Sequence, residues 1–98
     1  MNETIVQAIQ GRKLLSVWYN GGTRLIEPHC YGLGKAGQEL LRCYQVSGYS
    51  SSNQPTGWKL MTASNLQSIM SVDRTASSPR PGYNPNGDKA IPTVYAMI

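Results

Sequence analysis

One imidazole, two thiols and five carboxylates are the whole stock from which this chain could build a reaction centre. The imidazole, His29, follows Pro28 in a β-like stretch and would need an activated partner to act as a general base. Glu3, Glu27, Glu39, Asp73 and Asp88 include no pair spaced for acid–base work. Cys43 falls on one face of an alternating run, where a small core residue fits better than a nucleophile. Cys30 and Cys43 read as reduced, buried thiols, and zinc would need more Cys and His than the chain has. No Gly-Xaa-Ser-Xaa-Gly elbow, P-loop or dinucleotide fingerprint occurs. The run GLGKAG (32–37) lacks the Lys-Ser/Thr ending and the following helix of a phosphate loop, so it reads as a hairpin turn. Catalysis, a metal and a cofactor are therefore not expected.

What the residues do supply is binding chemistry. Trp18, Tyr19, Tyr44, Tyr49, Trp58 and Tyr83 offer π-faces, and Arg24, Arg42 and Lys59 stand near several of them in sequence. Stacking on an aromatic ring contributes about 1–3 kcal/mol per base, and cations meet the phosphates. The chain has no phenylalanine, so Trp and Tyr must also fill the core. A net charge of +4 tilts the partners towards anions: phosphate, nucleotide or nucleic acid. The tilt is mild, because only Arg12 and Lys13 are adjacent among nine basic residues.

These side chains must be carried by short elements. NETIVQAIQGRK reads as a short helix, capped by Asn2 or Thr4, with Ile5, Val6 and Ile9 as its apolar stripe and Gly11 as its stop. KLLSVWY alternates as a strand, and Asn20-Gly21-Gly22 is a tight-turn signal. The return strand runs from about Thr23 to Tyr31, and Pro28 places it at an edge or in a bulge. QELLRCYQVS is a third strand, with Leu41 and Cys43 on one face and Arg42, Tyr44 and Val46 on the other. A polar loop spans Gly48 to Gly57, and WKLMTA is a fourth strand. SNLQSIMSV fits either a helical turn at Leu66 and Ile69 or a fifth strand over Ile69–Val72. The Pro- and Gly-rich run after it ends in AIPTVYAMI, apolar enough to dock as a strand or short helix.

At 98 residues the chain makes one domain with one modest core. A helix followed by four or five short strands predicts a mainly β fold, a small antiparallel barrel or strongly bent sheet whose site lies on the outside. No apolar run approaches the roughly 20 residues that cross a bilayer, and the N-terminus has no basic segment ahead of a hydrophobic one. A cytoplasmic protein with no membrane partner is the expectation.

Three segments, IVQAIQGRKLLSVWYNGGTRLIEPHCYGL, QELLRCYQVS and WKLMTASNLQSI, follow one another in an order that resembles the WYL domain. The match covers roughly residues 4–72, and Arg24 with Pro28 and the stretch Leu41–Tyr44 carry it best. The resemblance implies an Sm-like, SH3-type barrel, here a stand-alone bacterial module with a tail over 73–98. It also implies a non-catalytic regulatory role, in transcription or phage defence, sensing nucleic acid or a nucleotide-type ligand. By position, Lys59 stands for the family's first arginine of its last motif and Met61 for its phenylalanine. Ser64 and Asn65 fall where an aspartate and a second arginine are usual. Lysine keeps the charge of arginine but not its bidentate fork.

Together these readings place Arg24, Arg42 and Lys59 on phosphates and Tyr19, Tyr44 and Trp18 on bases. Trp18 and Tyr19 are expected to divide, one anchoring the core and one facing outward near Arg24. Arg80 and Tyr83 are expected to fold back over the barrel. The rival is a protein–protein module in which AIPTVYAMI and the first strand build a homo-oligomer or dock a partner strand.

Overall fold

Helix α1 (Glu3–Gln10) begins where Asn2 satisfies its first turn, the side-chain oxygen accepting the Ile5 N–H at 3.1 Å. It ends where the Gly11 N–H bonds back to the Gln7 carbonyl at 2.9 Å. Ile5, Val6, Ala8 and Ile9 are buried against the sheet, which stabilises a helix too short to persist alone. Asn2→Ala is expected to remove about 1 kcal/mol of stability. In a domain of this size that lowers Tm by roughly 4–8 °C, readable in a thermal melt.

The structure, a computed structural model, describes residues 1–98. Strand β1 (Lys13–Tyr19) turns through Asn20 and Gly21 into β2 (Gly22–Leu33). Those two residues hold φ of 44° and 111°, the left-handed pair that a two-residue hairpin requires. Strand β3 (Glu39–Gly48) follows the turn at Gly34, and β4 (Gly57–Thr62) follows the polar loop. The strand reading of the next segment holds and the helical turn at Leu66 and Ile69 does not: one short turn at Ala63–Asn65 precedes β5 (Leu66–Thr75), which contains both residues and extends beyond Ile69–Val72 at each end. The chain closes with β6 (Thr93–Met97), the strand option for the apolar end.

All pairings are antiparallel, in the order β4-β3-β2-β1-β5, with β6 added to β2. No ladder joins β4 to β5, so the sheet is open and not a closed barrel. Its core face and α1 enclose Ile5, Val6, Ala8, Ile9, Leu15, Val17, Ile26, Tyr31, Leu41, Cys43, Met61 and Leu66.

Strand β2 organises the rest. On one side it pairs with β3 from Arg24 to Leu33; on the other, β1 stops at Ile26 and β6 begins at Cys30. Glu27, Pro28 and His29 lie in the gap. The β3 register shifts between Pro28 and Cys30, so the proline sits at a bulge. Buried backbone groups in such a gap must still find partners. The His29 carbonyl takes the Ile98 N–H at 2.9 Å, and the Glu27 carbonyl takes the His29 ring.

Candidate functional site

The turn that ends β1 shows what the aromatic pair and the arginine do. Tyr19 packs against the core, and its hydroxyl accepts the Thr62 N–H at 3.1 Å; Trp18 points outward, 37% exposed. Arg24 lies opposite Val17, on the core face, and is only 5% exposed. Its Nε–H donates to the Tyr19 carbonyl at 3.1 Å and its Nη1–H to the buried Gln45 amide oxygen at 3.4 Å. The Tyr19 and Tyr49 rings flank the guanidinium at 5.1 and 5.5 Å. Tyr49 reaches that place because Gly22 has no side chain: a Cβ there would stand 2.5 Å from the Tyr49 Cβ. The second glycine of Asn-Gly-Gly therefore serves the ring, not the turn.

Arg24 is thus not the surface phosphate ligand expected of it. It ties the end of β1 to β3 from inside. Lys59, opposite core-facing Cys43, shares that face, but its ammonium donates to the Gln54 carbonyl at 2.7 Å. Arg42 and Tyr44 lie on the other face of the sheet. Arg42 is also not free: its Nε–H and Nη2–H donate to Asp88 at 2.7 and 3.3 Å. Of the six residues, only Tyr19 and Arg24 meet, and the cations do not converge on one outer surface.

The outer face carries a different constellation, sealed by residues 76–92. Glu27 is 2% exposed, and its carboxylate accepts the Arg80 Nε–H at 2.6 Å, the Arg80 Nη2–H at 3.2 Å and the Ser77 N–H at 2.8 Å. Burial alone would raise its pKa, but these donors outweigh burial and the net shift is downward. The Arg80 guanidinium also lies over the Tyr44 ring at 4.6 Å. His29, fully buried, is fixed in one tautomer: Nδ1–H donates to the Glu27 carbonyl at 2.8 Å, leaving Nε2 to accept the Arg80 N–H at 3.2 Å. Burial holds its pKa below the ordinary imidazole value, against the pull of Glu27. Arg80 and Tyr83 do fold back, as the sequence suggested.

Beside this seal lies a cleft of about 330 Å³ lined by Arg42, Trp58, Tyr83, Asn84, Asp88 and Lys89. The Trp58 and Tyr83 rings face one another at 6.4 Å with 20° between their planes, and His29 stands against both at 4.7 and 5.2 Å. Trp58 Nε1–H donates to the Pro81 carbonyl at 3.0 Å and the Tyr83 hydroxyl to the Ile98 carbonyl at 2.9 Å. Both polar handles are occupied, so each ring is held in orientation. Lys89 is exposed and has no carboxylate within ion-pair distance.

Set against protein-family profiles, curated proteins and solved structures, the chain has no match. Its chemistry is therefore read from the geometry alone. Burial pushes the Cys30 thiol up to about 11 and Cys43 up to about 12, so both stay protonated at neutral pH. They are free thiols. No group of three His, Cys, Asp or Glu side chains is gathered to hold a metal, and no helix is long and apolar enough to cross a membrane. The strongest arrangement is the cleft, two fixed rings beside two cations. Sequence reasoning listed Trp58 and Tyr83 only among candidate rings and missed Lys89, which stands 47 residues after Arg42. No local signal marks Lys89: among residues 76–98 only Arg80, Asp88 and Lys89 are charged, no denser than in the chain as a whole.

Proposed function

We propose that this chain is a non-catalytic binding module for an anionic, nucleotide-type or nucleic-acid ligand, a WYL-like sensor built on an Sm-like variation of the sheet. The observation that carries this reading is the cleft, which Arg42 and Lys89 line together with Trp58 and Tyr83. Aromatic faces stack bases and lysine binds phosphate as a point charge. The support for the family reading is that the matching segments fall, in the order the resemblance implies, on a short helix followed by antiparallel strands. A regulatory role, in transcription or phage defence, goes with that reading. The test is a titration of Trp18→Phe protein, in which Trp58 is the remaining indole, with mononucleotides and single-stranded DNA and RNA. Saturable quenching at low salt is expected. Affinities all weaker than about 1 mM would end this reading, since the electrostatic part of binding is largest there.

A second reading, an oligomerisation or partner-docking module, draws on the free sheet edges at β4, β5 and β6. β4 and β5 are unpaired on their outer sides, and Leu60 and Met70 are 40% and 63% exposed there. The apolar end expected to serve that role pairs as β6 with β2 on one side and leaves its other side unpaired, with Val94 39% exposed. Light scattering separates the two, because a stable oligomer indifferent to nucleotides favours the second.

A further inference from the structure

Resting on that ligand-binding reading, we infer that the cleft takes a single nucleoside-monophosphate-type molecule, one planar base with one phosphate, and not a nucleic-acid strand. Charge decides this first. Two cations line the cleft, but Arg42 is neutralised by Asp88 through two hydrogen bonds at 2.7 and 3.3 Å. Lys89 alone is uncompensated, which is one seat for one phosphate. A strand needs a run of cations tracking its backbone, and the other cations without carboxylates stand elsewhere. Arg24 is buried on the opposite face, Lys59 is bonded to Gln54, and Arg12 reaches the Ser78 carbonyl at 3.4 Å. Lys35 lies in the turn after β2 and Arg74 in β5.

Size and preorganisation agree. About 330 Å³ falls at the low end of small-ligand pockets, which run from roughly 300 to 1,000 Å³. Trp58 and Tyr83 are each anchored by a hydrogen bond, so little ordering is left for a ligand to impose. Gly87 leaves its side open: a Cβ there would meet nothing within 4 Å. Asn84 keeps its amide donors for a base edge or sugar, since only its side-chain oxygen is engaged, by the Asn86 N–H at 2.9 Å.

The test follows the two indole N–H resonances of the full chain while adenosine monophosphate, adenosine, inorganic phosphate or a ten-residue oligothymidylate is added. Adenosine monophosphate is expected to shift the Trp58 signal saturably, leave Trp18 in place, and bind roughly tenfold or more tighter than adenosine or phosphate alone. In Lys89→Gln, a surface change, its advantage over adenosine should vanish while the remaining spectrum is kept. An oligonucleotide that binds roughly tenfold tighter than the mononucleotide, with a salt dependence of several charges, overturns the inference but leaves the ligand-binding reading standing. Equal binding of adenosine and its monophosphate also overturns it. If no compound moves Trp58, the ligand-binding reading itself falls.

Discussion

Replacing Arg80 with methionine is expected to destabilise the protein by about 3 kcal/mol, measured by urea unfolding. The loss does not lie chiefly in the ion pair as such, because the Arg80 side chain is half-buried, 29% exposed, and water screens its side of the pair. It lies in what the substitution leaves behind. Glu27 is 2% exposed, and without Arg80 only the Ser77 N–H still serves its carboxylate. Methionine retains an apolar stem over Tyr44, which separates the lost charge from lost packing. Water admitted beside the half-buried position 80 keeps the effect near the low end of the roughly 3–5 kcal/mol typical of broken buried pairs. Glu27→Gln removes the stranded charge, so the double variant should be more stable than Arg80→Met alone. A coupling of about 1–3 kcal/mol is expected across that cycle. A stability of Arg80→Met within about 0.5 kcal/mol of the parent, the range of ordinary surface changes, would mean that the tail is not latched at Glu27.

That latch marks the boundary of what the sequence discloses. Local chemistry was readable wherever a residue acts on its neighbours. Asn2 and Gly11 bound the helix, Asn20 and Gly21 make the turn, and Pro28 announces the bulge. Alternation located Leu41 and Cys43 in the core. The same alternation, carried across the hairpin, puts Arg24 beside Val17 on the inner face; only the habit of reading arginine as a surface residue pointed it outward. Long-range pairings were out of reach. Arg42 meets Asp88 across 46 residues and Arg80 meets Glu27 across 53, and neither spacing has a local signature. The terminal strand illustrates the same limit. Its apolar character said that it must be covered, but the gap beside Glu27–His29 exists only once β1 has stopped at Ile26. Barrel closure depends on whether β4 reaches β5, which no residue pattern in either strand specifies.

Stability is expected to fall as pH drops below about 6.5, and His29→Gln should flatten that fall between pH 7.5 and 5.5. In the folded protein Nε2 is an acceptor, so a proton placed there would face the Arg80 N–H donor head to head. Around the ring stand Trp58 from β4, Tyr83 from the tail, the Glu27 carbonyl and carboxylate from β2, and the Arg80 and Arg12 guanidinium groups. Burial comes first among the causes and lowers the pKa; Glu27 opposes it, the two arginines assist it, and the net direction is down. The unfolded chain therefore binds the proton more readily than the folded one. The stabilisation is complete above the unfolded value and is lost as pH falls from there through the folded pKa, with a slope of at most about 1.4 kcal/mol per pH unit. Glu27 and Asp88, both shifted down, contribute with the same sign but in a lower window, below their ordinary carboxylate values. Glutamine can offer its amide oxygen to the Arg80 N–H and does not titrate, so it tests the proton and not the hydrogen bond. Urea unfolding of both proteins at the two pH values gives the answer, and equal slopes would remove His29 as the cause. Because the segment that His29 holds also carries Tyr83 and Lys89, a tail freed by that proton takes half of the cleft with it. Ligand affinity should then decline over the same pH range more steeply in the parent than in His29→Gln, where only the ligand's own phosphate, with a second pKa of about 6, still titrates.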